Sequence, residues 1–196
     1  MNIEEIIEKI PDKLQNKGTI SSKFRLDFCE FMNQNKDDFL TKACIELGTC
    51  QGYSTKMLSY FFKKVVTFEE LEERTSNAKN FNSDVDNIEY RIQDIYNTNW
   101  WELEEQIALV FIDADHSYES VKKDLENSLK LPFETKLYIV FDDYGAFNDV
   151  RRVVDESLGS GKIKFYKFLG ESKGFAYRSD KPALRDREGV ICVYEK

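Results

Sequence analysis

Two short runs hold most of the residues in this chain that could do chemistry. They are Asp113-Ala114-Asp115-His116 and, with Asp142 lying 29 positions after Asp113, Asp142-Asp143. Each follows an apolar run, Ile107–Ile112 and Leu137–Phe141, so each set of carboxylates is expected at the tip of a buried strand. If neighbouring tips bring them together, unit charges 4 Å apart repel by about 4 kcal/mol at an effective dielectric of 20. Such a cluster must keep a proton or hold a divalent cation. All-oxygen ligands favour Mg2+, with Mn2+ or Ca2+ as alternatives. His116 is the only histidine. A lone histidine is more often structural than catalytic, but beside a metal site it could take the proton of a hydroxyl.

Other polar residues stand where apolar runs end. Ala43–Leu47 is followed by Gly48-Thr49-Cys50-Gln51-Gly52-Tyr53-Ser54, with Glu46 just before the first glycine. Two glycines four apart allow a tight turn and a close backbone approach to a ligand ahead of a helix. The run is not GxGxxG and lacks the Lys-Ser/Thr of a phosphate-binding P-loop. An acid at Glu46 would repel a pyrophosphate and suits a cationic ligand. Val65–Glu69 ends in an acid placed to accept both hydroxyls of a ribose, and Ile88–Ile92 leads to Gln93-Asp94, placed for an adenine edge.

These tips need a scaffold, and the pattern supplies one. Ile3, Ile6, Ile7 and Ile10 share a helical face stopped by Pro11, and Phe24, Phe28, Phe31 and Met32 form a second apolar face. That aromatic helix reads first as packed on the sheet and second as a lid. From Ala43 strands alternate with helices: Tyr53–Phe62, Leu71–Asn80, Ser117–Leu131 and a segment carrying Val150, Val153, Val154 and Leu158. Alternation implies a parallel sheet covered on both faces, with ligands outside the carboxyl ends of the strands. Two last β-rich stretches, Ile163–Leu169 and Val190–Tyr194, flank a charge-balanced segment, Gly170–Gly189, expected as a solvated hairpin.

Composition narrows the classes. The chain has 196 residues, 41% of them hydrophobic, and a net charge of −8. This suits one folded domain and argues against a nucleic-acid module. The longest apolar run, Ile107–Ile112, is far below the ~20 residues of a membrane span. Cys29, Cys44, Cys50 and Cys192 show no CxxC spacing, and the acidic opening MNIEEIIEKI does not read as an export signal. The expectation is reduced core thiols in a cytoplasmic protein.

From about Ala43 onward the chain resembles the class I S-adenosylmethionine-dependent methyltransferases. ELGTCQGYS is similar to their glycine-rich first motif, and VVTFEE to their second-strand acid. Within the class, Glu46-Leu47-Gly48 through Gly52-Tyr53-Ser54 is similar to the loop of catechol-type, metal-dependent O-methyltransferases, and VFIDADHSYESVKKDL followed by IVFDDY is similar to bacterial small-molecule and sugar O-methyltransferases, including antibiotic-tailoring enzymes. The resemblance implies an α/β fold: a Rossmann-like, doubly wound seven-stranded sheet, mostly parallel, with a C-terminal antiparallel strand pair and N-terminal helices. It divides the chain into a helical extension (1–40) and a methyltransferase domain (41–196). It implies that Gly48, Gly52, Tyr53 and Ser54 hold the methionine end of the cofactor, with Glu46 beside the loop. Glu69 would take the ribose and Asp94 the adenine side. Asp113 would line the cofactor site and, with Asp142 and Asp143, ligate Mg2+. The general base falls at Asp115 or His116. Catechol-type enzymes place a lysine where this chain has His116, which argues against catechol itself.

The expected activity is transfer of a methyl group to a hydroxyl of a small molecule, a sugar or sugar-bearing metabolite first and a phenol second. No nucleic acid or membrane partner is expected, and a homo-oligomer is compatible with the sequence. The rival readings are an NAD-dependent oxidoreductase on a similar sheet and a non-catalytic S-adenosylmethionine-binding module.

Overall fold

A computed structural model describes residues 2–11, 20–176 and 183–196. Seven helices and seven strands follow one another among them: α1 (Ile3–Glu8), α2 (Ser22–Gln34), α3 (Lys36–Phe39), β1 (Ala43–Leu47), α4 (Tyr53–Ser59), β2 (Lys64–Glu69), α5 (Glu72–Phe81), β3 (Ile88–Ile92), β4 (Ile107–Ile112), α6 (Tyr118–Ser128), β5 (Lys136–Phe141), α7 (Asn148–Gly159), β6 (Lys164–Ser172) and β7 (Arg187–Glu195). The strands form one sheet in the order β3-β2-β1-β4-β5-β7-β6. The five strands β1 to β5 are parallel, and β7 runs antiparallel to both β5 and β6.

The chain starts this sheet at its centre, winds outward through β2 to β3, then returns to lay β4 on the other side of β1. At that switch the loops leaving β1 and β4 diverge to opposite faces and open a crevice at the carboxyl ends. Both faces are covered. Ala43, Ile45 and Leu47 of β1 belong to one core, and Cys44 to the other. In β4 the alternation slips at Ala108 and Leu109, which face the same core, because the pairing shifts register between Ala43 and Cys44. This accounts for the near-continuous apolar run read in the sequence.

Helix α2 packs on the sheet: Phe24, Phe28 and Phe31 have no solvent exposure, and the Phe28 ring stacks on Phe111 of β4 with centroids 5.6 Å apart. Two buried polar ties fix its position. The Ser21 N–H donates to Glu188 Oε1 at 2.8 Å, and the Gly170 N–H donates to Asp27 Oδ2 at 3.0 Å. Glu188 is fully buried, so the charged segment near the end of the chain is not wholly solvated. β7 begins at Arg187 and carries Glu188 inward to meet the start of α2. Arg178, Asp180 and Lys181 of that segment lie outside the described residues.

Of the four free cysteines, Cys29, Cys44 and Cys192 are buried as expected, and Cys50 is exposed. It sits in the β1–α4 loop, at a left-handed φ of 47°, where the chain is too tightly turned to bury its side chain in the core. No described helix is long and apolar enough to cross a membrane.

Candidate active site

The β1–α4 loop closes over the end of β4. Gly48 has φ +99°, and a Cβ there would lie 2.1 Å from the backbone oxygen of Asp113. Only glycine lets the two chain segments meet this closely. Gly52, at φ +76°, starts α4 against Ala78 and Asn82, at the end of α5. Beneath the loop, Glu46 is fully buried, and its Oε2 accepts from the hydroxyls of Thr55 at 2.5 Å and Thr67 at 2.6 Å. Burial pushes its carboxyl up to about 7, against the pull of those hydroxyls. Glu46 therefore braces the loop from below and does not line the cavity above it.

That cavity, about 310 Å³, is lined in part by Gly48, Cys50, Glu69, Asp94, Tyr96 and Asp115. Glu69 is held rigidly. Its Oε2 accepts from the Cys50 N–H at 3.0 Å, and its Oε1 from the N–H groups of Glu70 and Leu71, each at 3.1 Å. Asp94 accepts from the Tyr96 N–H at 2.7 Å and from the Asn97 amide at 2.5 Å. Glu70 and Asp113 complete five carboxylates on the lining, against the single guanidinium of Arg74. A cationic ligand suits such a wall. A smaller hollow beside it shares Gly48, Cys50 and Asp113 and is lined by Tyr53, Ser54 and Ile20.

Asp113 links this cavity to the second group of acids. Asp113 Oδ1 lies 3.6 Å from His116 Nε2, and Asp143 Oδ2 lies 3.1 Å from the same nitrogen. The His116 ring stacks on Phe147, with centroids 4.4 Å apart and planes 14° from parallel. Burial alone would lower the proton affinity of the imidazole, but the two facing carboxylates outweigh it and raise its pKa to about 9. Asp142 is 7% exposed; burial first, then the charges of Asp113, Asp143 and Glu188, hold its carboxyl well above the usual range. Asp143 has a left-handed φ of 57°, a conformation that costs energy in any residue with a side chain.

The two residues read as candidate bases part company here. His116 faces the acid pair. Asp115 turns toward the 310 Å³ cavity, and its Oδ2 accepts from Ser117 Oγ at 2.8 Å and Ser120 Oγ at 2.7 Å. Those hydroxyls hold its carboxyl below the usual range. The structure thus gathers Gly48, Glu69, Asp94, Asp113 and Asp115 around one cavity, Tyr53 and Ser54 in the adjoining hollow, and Asp142, Asp143 and His116 at the far side of Asp113. Gly52 and Glu46 support the loop. Three further cavity residues have no distinguishing signal in the sequence. Arg74, 3.8 Å from Glu69, is an ordinary basic residue on a polar helix; Tyr96 is one of ten tyrosines; Cys50 reads as a core thiol.

Residues 45–144 match the family model described as Methyltransferase domain. That span is half of the chain, and the chain belongs to this family, within the class I S-adenosylmethionine-dependent methyltransferases. A search of curated proteins finds no match. Among solved structures, an O-methyltransferase from Bacillus cereus in complex with SAH superposes with a TM-score of 0.68 at 19% identity, over 99% of this chain and 90% of that one. The O-methyltransferase TomG from Streptomyces achromogenes, involved in tomaymycin synthesis and solved with SAM, gives 0.68 at 13% identity over 99% and 89%. The tRNA (m1A58) methyltransferase TrmI from Aquifex aeolicus gives 0.63 at 20% identity over 100% and 76%. Likeness at these identities shows a shared fold, and that fold is not tied to one class of methyl acceptor.

Proposed function

We propose that the chain transfers a methyl group from S-adenosylmethionine to a hydroxyl of a small molecule, with a divalent cation at the acid cluster. A sugar or sugar-bearing metabolite is the preferred acceptor and a phenol the second. The observation that carries this reading is Asp113, which lines the cavity suited to a cationic nucleoside and also faces His116 and Asp143. An acceptor beside the cluster would therefore lie next to the methionine end of a cofactor in the cavity.

The residues fit a cation. The donor set is rich in carboxylate oxygens, and two polar atoms of the cluster, Asp142 Oδ1 and His116 Nε2, are buried without a hydrogen bond. Asp113, Asp142 and Asp143 would hold Mg2+, with Mn2+ or Ca2+ as alternatives. When bound, the cation supplies Lewis acidity toward the acceptor hydroxyl, and the cofactor supplies an electrophilic methyl group on a sulfonium.

The chain's own part is binding, orientation and proton handling. Glu69, with its backbone donors already satisfied, presents a fixed carboxylate edge to a ribose, and Asp94 does the same on the adenine side. Gly48, Tyr53 and Ser54 shape the path toward Asp113, with Gly52 and Glu46 holding that loop in place. His116 stands against Asp113 and Asp143, within reach of an acceptor held at the cation. Asp115, whose carboxyl Ser120 and Ser117 hold below the usual range, is the second candidate to accept the acceptor's proton. Residues 1–40 are read as an extension to a domain of residues 41–196, with α2 walling the sheet. A cytoplasmic protein without nucleic-acid or membrane partners fits the acidic surface, and a homo-oligomer remains compatible.

Calorimetry with S-adenosylhomocysteine tests the first half of this reading, and a micromolar dissociation constant is expected. Absence of binding at millimolar ligand overturns it. Methyl transfer to hydroxylated acceptors that survives EDTA would remove the cation while leaving the transferase.

A further inference from the structure

We propose that His116 is itself a ligand of the cation, so that Asp113, His116 and Asp143 form a two-carboxylate, one-imidazole site that prefers Mn2+ or another first-row transition ion to Mg2+. The inference rests on the cation reading above and changes both the ion and the role of the histidine.

One ligand atom from each of these three residues lies within 4.8 Å of the others. Ligand distances of about 2.1 Å put cis neighbours of an octahedral ion about 3.0 Å apart, and His116 Nε2 and Asp143 Oδ2 are separated by 3.1 Å. That contact is close but poorly aligned for a hydrogen bond: Nε2 is buried and has no well-aligned partner among the described residues. The carboxylate therefore stands beside the ring nitrogen and off its N–H axis. A neutral imidazole and a carboxylate so placed can each offer a lone pair to one shared ion, with the imidazole proton released on binding.

The surroundings fix the arrangement. Phe147 stacks face to face on the imidazole and sets its plane, and the left-handed backbone of Asp143 turns its carboxylate back toward the ring. Asp142, nine-tenths buried, leaves Oδ1 without a partner beside the same group. Strain and unpaired polar atoms of this kind persist where a ligand repays them. Imidazole nitrogen suits Fe2+ or Zn2+ best and is accepted by Mn2+ beside carboxylate oxygens, whereas Mg2+ dehydrates reluctantly and keeps oxygen and its own water shell.

Because His116 is the only histidine, the nitrogen it contributes is open to direct measurement. The tag-free full chain would be loaded with Mn2+ alone and studied by electron spin-echo envelope modulation, with affinities for Mn2+ and Mg2+ measured by calorimetry. Nitrogen-14 modulation from one imidazole and at least tenfold tighter binding of Mn2+ than Mg2+ are expected. In His116→Ala the modulation disappears and Mn2+ affinity falls at least tenfold, while S-adenosylhomocysteine binding within a factor of three shows that the variant is folded. In His116→Asp an all-oxygen site should keep a cation, and the Mn2+ preference should shrink several-fold. Mn2+ bound without nitrogen modulation, or with affinity unchanged within twofold in His116→Ala, overturns the ligand role and leaves the cation reading standing. No Mn2+ or Mg2+ binding to the wild-type chain overturns both.

Discussion

The acids at the ends of β2 and β3 and those at the ends of β4 and β5 look alike in sequence and are treated differently by the fold. Glu69 and Asp94 accept hydrogen bonds from their own chain, three N–H groups in one case and an N–H and an amide in the other. Asp113 and Asp143 converge on His116, Asp142 is buried among the same charges, and Asp142 Oδ1 and His116 Nε2 are buried without a hydrogen bond. The first region is complete as folded, a rigid receptor needing only a ligand that fits. The second sets two acids against one imidazole with a third acid buried beside them, an excess of negative charge expected where a cation comes from outside.

The largest predicted effect lies where the two regions meet. Gly48→Ala forces a Cβ into the Asp113 carbonyl and should cost about 3 kcal/mol or more of stability, with loss of S-adenosylhomocysteine binding. A folded variant of near-normal affinity in urea unfolding and calorimetry would show that the two regions are not in contact as described. Next, Glu69→Ala leaves three N–H groups without their acceptor. It should weaken S-adenosylhomocysteine binding by about 10- to 100-fold, the range for a charged hydrogen-bonding group, and leave Mn2+ affinity unchanged.

The contrast can also be probed by the opposite substitution. In EDTA, Asp142→Asn removes a buried acid from among like charges and should raise the melting temperature by about 2–4 °C, equivalent to roughly 1 kcal/mol for a chain of this size. Added Mn2+ should then stabilise the variant less than the wild type, with S-adenosylhomocysteine affinity within threefold. A lower melting temperature in EDTA would make the acid cluster a structural network and erase the difference between the regions.

The smallest effect concerns two buried acids that face neither ligand. Burial holds Glu46 and Asp124 at a pKa of about 7. The folded chain keeps these protons where the unfolded chain, titrating near 4, has lost them. Stability therefore falls as pH rises between about 4 and 7. Denaturant melts of Asp124→Asn across that range should show a flatter profile, and an unchanged slope would mean that Asp124 stays ionised in the fold.

Much of this site is legible in the sequence because strand tips are. An apolar run of five or six residues ending in an acid places that acid at the carboxyl end of a strand, so Glu69, Asp113 and Asp142 can be located from the order of residues. The direction of the next few side chains cannot. Asp115 and His116 are adjacent, yet one turns to the 310 Å³ cavity and the other to Asp113 and Asp143, a choice made by Ser117, Ser120 and Phe147. Cys50 reads as a core thiol along with the other three cysteines, and the turn between two glycines exposes it. Glu188 reads as solvated because its segment is charged, and the start of α2, far away in the chain, buries it.

Local periodicity, with the two glycines that a tight loop requires, is enough to dictate the class of fold, the order of strands and helices, and which acids end the strands. Folding in three dimensions was needed to make Glu46 brace the loop from beneath, to bring Arg74 and Tyr96 to the cavity, and to stand His116 between Asp113 and Asp143. Those are contacts set by how whole elements pack. They depend on register, on a left-handed residue and on the stacking of one ring upon another, none of which leaves a periodic trace in the order of residues.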